Sequence, residues 1–377
     1  MPWKEVSAMS LREEFVMLAS QPQAKRRELC RRFGVSAKTG YKWLQRFAAQ
    51  GRAGLAERSR RPHHSPRQTA AAVETRVLAL RAAHPAWGGR KLARRLRDQG
   101  MLGVPSPATI SAILKRHGQL RARGSTGPAP WQRFEHPVPN ALWQMDFKGH
   151  FALTEGRCHP LTVLDDHSRF NLTLAACADE RTETVQTQLT TTFRRYGLPE
   201  RLGTDNGPPW GHDETHSLTA LAVWLLRVGV PVTHSRPAHP QTLGKDERFH
   251  RTLKLEVLNA HTFQDLTDCQ RRFDLWRDCY NCERPHAALG LAVPASRYQP
   301  SPRPFPETLA PIEYEAGETV RKVQDHGFLH YRGRVFRVPQ ALRGYPVALR
   351  PSEPDGRLTV FFRHYPIAQI DLRYPYE

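Results

Sequence analysis

Three acidic residues stand in contexts that could support metal-dependent chemistry. Asp146 lies in a largely apolar run from Trp143 to Phe147, Asp205 precedes an Asn-Gly pair that permits a sharp turn, and Glu247 lies in a stretch with helical spacing. An unpaired carboxylate in a buried strand is costly, so Asp146 requires either a salt bridge or a metal ion. Because Mg²⁺ prefers oxygen ligands, the three acids together are candidate ligands of a divalent metal.

Each acid also has a simpler interpretation when it is taken alone. Asp146 could form a salt bridge, and Asp205 could belong to a plain Asp-Asn-Gly turn. Glu247 shares a predicted helix face with Arg251 and Lys254, so it could form an ordinary intrahelical ion pair. The three contexts together favour the metal site, in which the two cations would be free to meet phosphates.

The segments around these acids predict an α/β core. Its elements, in chain order, are strands at 142–147, 159–164 and 170–176, a helix at 182–196, a strand ending at 205, a helix at 217–228, a strand at 231–234 and a helix from about 245. This order places Asp205 at the exit of a strand, where the sites of α/β proteins gather. We expect Asp246 to face elsewhere on its helix, and Asp165 and Asp166 to be possible neighbours of the site.

The first part of the chain predicts a helix-turn-helix. Residues 25–47 form two short helices around Gly34, and Ser36 can cap the second helix. The exposed side of that helix offers four candidate DNA contacts, which are Lys38, Thr39, Lys42 and Arg46. A basic segment follows with Arg60 and Arg61, which suit a groove or a phosphate track, although a solvated hinge would have the same composition.

A second helical unit has predicted helices at 73–83, 89–99 and 106–117 and resembles another helix-turn-helix. Its middle helix carries five basic residues, which are Arg90, Lys91, Arg94, Arg95 and Arg97. Such a cluster can be a solvated face, but we favour contact with DNA. Beyond a proline-rich linker at 300–311, alternating apolar and polar residues at 334–338 and 358–362 predict a small β domain.

The composition indicates a polyanionic partner. Lys and Arg number 56 against 36 Asp and Glu, a formal charge of +20, and such an excess favours contact with a phosphate backbone. The apolar run at 218–226 is too short to span a bilayer, which takes roughly 20 residues. The N-terminus lacks the pattern of a secretory signal and the six cysteines are sparse, so we expect a cytoplasmic protein without disulfides.

Two further motifs are set aside. Cys279 and Cys282 form a single Cys-x-x-Cys with His286 nearby, but no second pair completes a four-ligand zinc site, so we expect no structural zinc. Residues 243–245 lack the upstream glycine of a phosphate-binding loop, and a nucleotide cofactor is not implied. His250 lies close to the acidic motif, but such histidines more often complete hydrogen bonds, and we leave it out of the site.

Four motifs together carry a specific resemblance. They are Trp-Gln-x-Asp ending at Asp146, Thr-Asp-Asn-Gly around Asp205, Gly-Lys-x-Glu-Arg-Phe-His-Arg-Thr-Leu-Lys around Glu247, and Tyr-Asn-x-Glu-Arg-Pro-His-x-Ala-Leu-Gly at 280–290. The chain resembles the DDE insertion-sequence transposases, whose core is similar to that of retroviral integrases. The resemblance is close over 137–298 and implies a ribonuclease-H-like fold in which these three acids bind two Mg²⁺ or Mn²⁺ ions.

The resemblance also implies an activity. Water would first free a 3′-hydroxyl at the end of a mobile element, and this hydroxyl would then attack target DNA at the same site. The basic position two helical turns after the family's glutamate matches Lys254, which would touch DNA near the scissile end, with Arg251 as a further candidate. Bringing two DNA ends together implies a homo-oligomer assembled on DNA. When bound to DNA, the protein would be associated with the nucleoid.

These inferences divide the chain into four predicted domains. They are a helix-turn-helix DNA-binding domain at 1–65, a second helix-turn-helix-like domain at 66–130, a ribonuclease-H-like catalytic core at 135–300 and a C-terminal β domain at 312–377. The fold class is thus multidomain α/β with all-α N-terminal units. Two other functions remain open: a catalytically silent DNA-binding regulator derived from a transposase, and an RNA-binding protein, which would explain the charge alone.

Overall fold

A computed structural model describes residues 7–58, 68–120, 135–205, 207, 209–211, 218–234, 244–353 and 355–374. The chain divides into two compact units, Met1–Gln68 and Thr69–Glu377. Each unit is described by itself below. Within the described residues, no helix is both long and apolar enough to cross a membrane.

The first unit is a small helical bundle. Its helices are α1 (Ala8–Ala19), α2 (Arg26–Arg32) and α3 (Ala37–Gln50), followed by a 3₁₀ turn at Gly51–Leu55. Ser36 caps α3, as predicted, by accepting a hydrogen bond from the backbone N–H of Thr39. Phe15 and Val16 of α1 are buried with Cys30 and Trp43. Helix α1, which supplies half of the buried residues of this core, was not predicted from the sequence.

The second unit begins with three helices, here called the α4–α6 unit: α4 (Ala71–Ala83), α5 (Gly89–Asp98) and α6 (Pro107–Arg116). These bounds confirm the three predicted helices to within two residues. Their apolar faces enclose a core that includes Trp87, Leu92, Leu96 and Ile110. Gly89 allows α5 and α6 to approach closely, because a Cβ there would lie 2.4 Å from the carbonyl oxygen of Pro107.

A mixed sheet with helices on both sides forms the next part of the chain, and the predicted α/β core is confirmed. Its elements are β1 (Trp143–Phe147), β2 (Phe151–Ala152), β3 (Arg157–Asp165), β4 (Asn171–Cys177), α7 (Thr182–Tyr196), β5 (Leu202–Thr204), α8 (Ala220–Val228), β6 (Val232–His234), α9 (Gly244–Leu253) and α10 (Leu266–Cys282). Strand β1 is central, antiparallel to β3 and parallel to β5. Strand β6 extends the sheet beside β5, and β4 pairs with β3.

The pleat of β1 separates an apolar face from a polar one, because successive side chains of a strand point to opposite sides of the sheet. Trp143 and Met145 are fully buried in the cluster that contains residues of α7 and α8. Gln144 and Asp146 therefore point to the other face, where Phe249 of α9 and Tyr280 of α10 belong to a second apolar cluster. The alternation in this one strand fixes the side on which Asp146 is presented.

The C-terminal part is a small β structure, as predicted. Its strands are β7 (Thr319–Lys322), β8 (Phe328–Tyr331), β9 (Arg334–Arg337), β10 (Pro346–Ser352), β11 (Arg357–Phe362) and β12 (Tyr365–Asp371). Four of them form an antiparallel sheet in the order β12-β11-β10-β7, and β8 pairs with β9. Val347, Val360 and Phe362 are fully buried in its core, which also takes in Val223 of α8.

The proline-rich segment that was predicted as a linker before this sheet packs against the preceding part of the chain. The guanidinium of Arg303 donates hydrogen bonds to the carbonyl oxygens of Pro199 (2.5 Å) and Gly229 (2.6 Å). The ring of Phe305 stacks on Phe193 of α7, with 6.1 Å between the ring centroids. The segment therefore belongs to the packed core of the mixed sheet.

Candidate active site

Asp146 and Asp205 are brought together by two neighbouring parallel strands. The register pairs Trp143 with Leu202 and Gln144 with Gly203, so the same register continued two residues along sets Asp146 beside Asp205. The carboxylate of Asp205 is turned back on its own loop, where it accepts a hydrogen bond from the backbone N–H of Gly207 at 3.2 Å. Burial and the charge of Asp205 raise the pKa of Asp146 to about 7.

A third carboxylate joins those of Asp146 and Asp205, and it belongs to Asp246 of helix α9. Asp246 is fully buried. The hydroxyl of Thr162 on β3 lies 3.2 Å from both carboxylate oxygens of Asp246 and 2.8 Å from Nε2 of His250. Burial, with a further contribution from the charge of Asp146, raises the pKa of Asp246 well above its ordinary value. The expectation that Asp246 faces elsewhere is wrong.

His250 completes this cluster. One ligand atom from each of Asp146, Asp246 and His250 lies within 4.8 Å of the other two. The residue was left out of the predicted site, although its position one helical turn after Asp246 could have placed both residues on one face of α9. Burial lowers the pKa of His250 to about 3, so its imidazole is neutral and able to accept a hydrogen bond or bind a metal.

Glu247 lies next to Asp246 but points to a different side of α9. Successive residues of a helix are rotated by about 100°, and Glu247 is accordingly exposed where Asp246 is buried. The structure therefore does not bring Glu247 into the compact cluster around Asp146. Residues 235–243, which lead into α9, lie outside the described residues. The assignment of Glu247 as a metal ligand stays a prediction.

A polar network anchors the start of α9 to the centre of the sheet. The side-chain amide of Gln144 donates to Oδ1 of Asp166 at 2.9 Å, and its oxygen accepts from the backbone N–H of Asp246 at 3.3 Å. Asp166, which is 1% exposed, also forms an ion pair with Lys245. Asp165 instead caps the turn after β3 through the backbone N–H of Ser168. Of the two acids predicted as possible neighbours of the site, Asp166 therefore contacts the residues that hold the start of α9.

The predicted phosphate contacts Lys254 and Arg251 are both exposed on α9 and the π-helical turn that follows it. Lys254 lines a cavity of about 420 Å³ together with Lys148, His150 and His261. Lys148 is only two residues beyond Asp146 on the chain. A basic concave surface thus lies close to the acidic cluster.

The predicted DNA-reading side chains of the first unit lie along α3. Lys38 and Lys42 are exposed, whereas Thr39 and Arg46 are half-buried. Lys42 and Arg46 both lie over the ring of Trp43, with their cationic groups 4.3 Å and 5.1 Å from its centroid. The other two predicted contacts, Arg60 and Arg61, lie outside the described residues.

The basic middle helix of the α4–α6 unit is divided between solvent and the sheet domain. Arg90 and Arg97 are exposed. Arg95 instead pairs with Glu283 beyond the end of α10 at 2.5 Å, and burial together with the charge of Arg284 lowers the pKa of Lys91 to about 8. Contact with DNA is therefore open to only part of the cluster that the sequence singled out.

Comparison with known families agrees with this arrangement. The integrase core domain matches residues 136–240, and a second integrase core domain description matches 228–294. The C-terminal domain of the IS481 family transposases matches residues 318–375. By these matches the chain is similar to insertion-sequence transposases with an integrase core. A helix-turn-helix domain matches residues 11–63, and a homeodomain-like domain matches residues 39–114.

Two relatives are proteins of insertion elements. An insertion element IS476 protein of Xanthomonas euvesicatoria is 27% identical over 64% of this chain and 69% of its own length. An insertion element IS407 protein of Burkholderia multivorans is 30% identical over 42% of this chain, which spans about half (55%) of that relative. The HTLV-2 integrase catalytic core domain, solved in complex with magnesium, is 16% identical with a TM-score of 0.34, covering 43% of this chain and 99% of its own.

Proposed function

We propose that this protein is a transposase that binds the ends of a mobile DNA element and catalyses metal-dependent strand cleavage and strand transfer. The observation that carries the proposal is the pair Asp146 and Asp205 at the centre of the sheet. The burial of Asp146 and, after it, the charge of Asp205 raise the pKa of Asp146 to about 7. Two such carboxylates are stable together when a proton or a cation compensates their charge, and a divalent cation does so best.

The donor set fits magnesium or manganese. Carboxylate oxygens are the ligands that these ions prefer, and thiols are missing from the acidic cluster. Asp146, Asp205 and Glu247 would hold two ions, in line with the family resemblance. Bound there, the ions would supply activation of the attacking oxygen and stabilisation of the leaving oxygen in an in-line displacement.

The remaining residues of the site position the carboxylates and the DNA. Thr162, Asp246 and His250 join β3 to α9 behind Asp146, so they fix the separation between the strand and the helix that carries Glu247. Lys254, with Arg251, would bind the phosphates next to the scissile bond as charged hydrogen-bond donors. No covalent protein intermediate is needed.

Recognition of the element ends would fall to the helical units. Contacts to phosphates position a protein on DNA, but only base edges or DNA shape specify the sequence. Helix α3 presents Lys38 and Lys42 to solvent, and the basic excess of the chain supplies the non-specific attraction. We further propose that two element ends are held by a homo-oligomer of this chain assembled on DNA.

A strand-joining assay tests the proposal. Purified protein is incubated with Mg²⁺ or Mn²⁺, DNA carrying the element ends and a plasmid target, and joined products are separated on a gel. We expect metal-dependent joining that is lost in Asp205→Asn and Glu247→Gln, with binding to the element ends retained. Glu313→Gln is the matched control, because Glu313 is an exposed acid ahead of the C-terminal sheet.

The alternative function is a catalytically silent regulator that binds DNA through the same helices. End binding without joining, in the wild type as in the variants and with either metal, would favour it. Equal binding to RNA and to element-end DNA would contradict both functions, since each requires preference for a DNA end.

A further inference from the structure

A mixed group of nitrogen, sulfur and oxygen ligands lies where the α4–α6 unit meets α10. His84 directly follows α4, Cys279 lies in the last turn of α10, and Glu283 directly follows α10. One ligand atom from each of the three lies within 4.8 Å of the other two. All three side chains are half-buried. The group is separate from the acidic cluster around Asp146 and plays no part in the chemistry proposed above.

The local structure holds these side chains in place. Cys279 and Glu283 are four residues apart, and the backbone N–H of Glu283 donates to the carbonyl oxygen of Cys279 at 2.9 Å, so both lie on one face of the last helical turn. The ring of His84 stacks on the buried ring of Trp87, with 3.8 Å between centroids and an interplanar angle of 7°. The imidazole is therefore fixed facing the end of α10.

We propose that His84, Cys279 and Glu283 bind a zinc ion that fastens the α4–α6 unit to the core of the mixed sheet. Imidazole, thiolate and carboxylate are the ligands that zinc takes in proteins, whereas the thiolate is a poor ligand for Mg²⁺. Because three protein ligands are present and half-buried, a water molecule completes the tetrahedral set.

The dimensions suit this ion. With Zn–S at about 2.3 Å and Zn–N at about 2.1 Å, tetrahedral ligand atoms lie roughly 3.5 Å apart. The separations in the structure exceed this value by at most roughly 1.3 Å, a difference that small rotations of the side chains remove. Arg95 occupies one oxygen of Glu283. A carboxylate has a second oxygen, and the ion pair orients Glu283 as metal-ligand partners do.

The ligand set differs from the one that the sequence suggested and rejected. Cys282 is exposed and is not a member of the group. Nε2 of His286 lies 3.1 Å from the hydroxyl of Tyr280, so that histidine is engaged in the core of α10. The missing ligand comes from His84, which is far away in sequence and reaches Cys279 only because the α4–α6 unit packs on α10.

Cobalt titration of the full-length protein tests the site. Co²⁺ substitutes for zinc, and a thiolate ligand gives it a charge-transfer absorption that oxygen ligands do not give. We expect this absorption to saturate at one Co²⁺ per chain, to be abolished in Cys279→Ser, and to be displaced by Zn²⁺ but not by Mg²⁺. His84→Ala is expected to weaken Co²⁺ binding at least about tenfold, since an imidazole ligand is lost.

Two variants serve as controls. Cys282→Ser removes the neighbouring exposed thiol and is expected to keep the absorption. Asp146→Asn disables the proposed DNA chemistry and is also expected to keep the charge-transfer absorption. A failure of the zinc site can therefore be distinguished from a failure of the proposed function. The far-ultraviolet circular dichroism of Cys279→Ser is compared with wild type to show that the variant is folded. Absence of the absorption in wild type at saturating Co²⁺, or its persistence in folded Cys279→Ser, would overturn the zinc site.

Discussion

Nδ1 of His250 lies 3.9 Å from Oδ2 of Asp146, yet the histidine brings no positive charge to the carboxylate. Burial and, to a lesser degree, the charge of Lys148 lower the pKa of His250 to about 3, so the ring is neutral across the physiological range. The imidazole of His250 therefore does not compensate the repulsion between Asp146 and Asp205. We expect protons and divalent cations to compete for this carboxylate.

That competition predicts a pH-dependent effect of magnesium on stability. The pKa of Asp146 is raised from 3.8 to about 7, so this group stabilises the metal-free fold fully below its unfolded pKa and loses that contribution as the pH rises through about 7. Metal binding requires the deprotonated form. We expect Mg²⁺ to raise the melting temperature more at about pH 8 than at about pH 6.

Thermal denaturation with Mg²⁺ or with a chelator measures this effect. The pH-dependent part is expected to vanish in Asp146→Asn, whose amide does not titrate in this range. A Mg²⁺ shift of the same size at both pH values would contradict the assignment of the raised pKa to the metal site.

The adjacent acids of α9 are predicted to have different tasks. Asp246 is enclosed by Thr162 and His250, so Asp246→Asn keeps the shape and the acceptor oxygen and is expected to reduce strand joining by less than about tenfold. Asp246→Ala removes the contacts and is expected to cost about 10- to 100-fold. Glu247→Gln removes a proposed ligand and is expected to cost at least about 100-fold.

Single-turnover joining rates of the three variants decide between the two acids. The reverse order, with Asp246→Asn inactive and Glu247→Gln active, would make Asp246 the third ligand, beside Asp146 and Asp205.

Lys254 is predicted to act through DNA phosphates. Lys254→Ala is expected to weaken binding to element-end DNA and to lower the slope of log K against log salt by about 1, because one fewer phosphate is neutralised. Binding titrations over a range of salt concentrations measure both quantities. Arg195→Ala is the control, since Arg195 is an exposed cation on α7, across the sheet from α9. An equal change in both variants would leave Lys254 without a specific role.

The ion pair between Glu256 and Arg284 is predicted to support the fold. Both side chains are less than a tenth exposed, and Glu256 also accepts a hydrogen bond from Nε1 of Trp276 at 3.0 Å. Glu256→Ala leaves a buried guanidinium without its partner, which is expected to lower the free energy of unfolding by about 3 to 5 kcal/mol.

Urea denaturation followed by circular dichroism checks this value. Glu307→Ala breaks a fully exposed pair with Arg194 and is expected to leave the midpoint nearly unchanged. Equal urea midpoints for the two variants would show that the buried ion pair of Glu256 contributes no more to the stability of the fold than the exposed pair does.

Much of the sheet and its helices could be predicted because the relevant signals are local. A largely apolar run marked β1, and Ser36 marked the start of α3. The side of α9 on which Asp246 lies was predicted wrongly. Asp246 is one helical turn before Phe249 and His250 and two turns before Leu253, so all four share one face. An acid on a buried helix face contradicts simple apolar patterning, and the spacing was therefore not read in this way. A buried acid is tolerated only when it has hydrogen-bond partners, and some of these partners lie on strands that are distant in sequence.

The basic residues of α5 show the same limit. Their number favoured contact with DNA, yet Arg95 reaches Glu283, and Lys91 is half-buried near Arg284. Pairs so distant in sequence follow from the packing of the α4–α6 unit on α10, which periodicity does not reveal. The helix α1 was missed for a different reason, since its apolar residues form only a weakly one-sided pattern.

The packing of the proline-rich segment decides where a shortened catalytic fragment should end. A fragment that stops at residue 300 would lack Arg303, whose guanidinium donates hydrogen bonds to the carbonyl oxygens of Pro199 and Gly229. It would also lack Phe305, and the side of Phe193 that Phe305 covers would be exposed to solvent. Newly exposed apolar surface promotes aggregation. Expression of the core by itself therefore calls for a boundary beyond residue 309, because Leu309 still packs against the same apolar cluster.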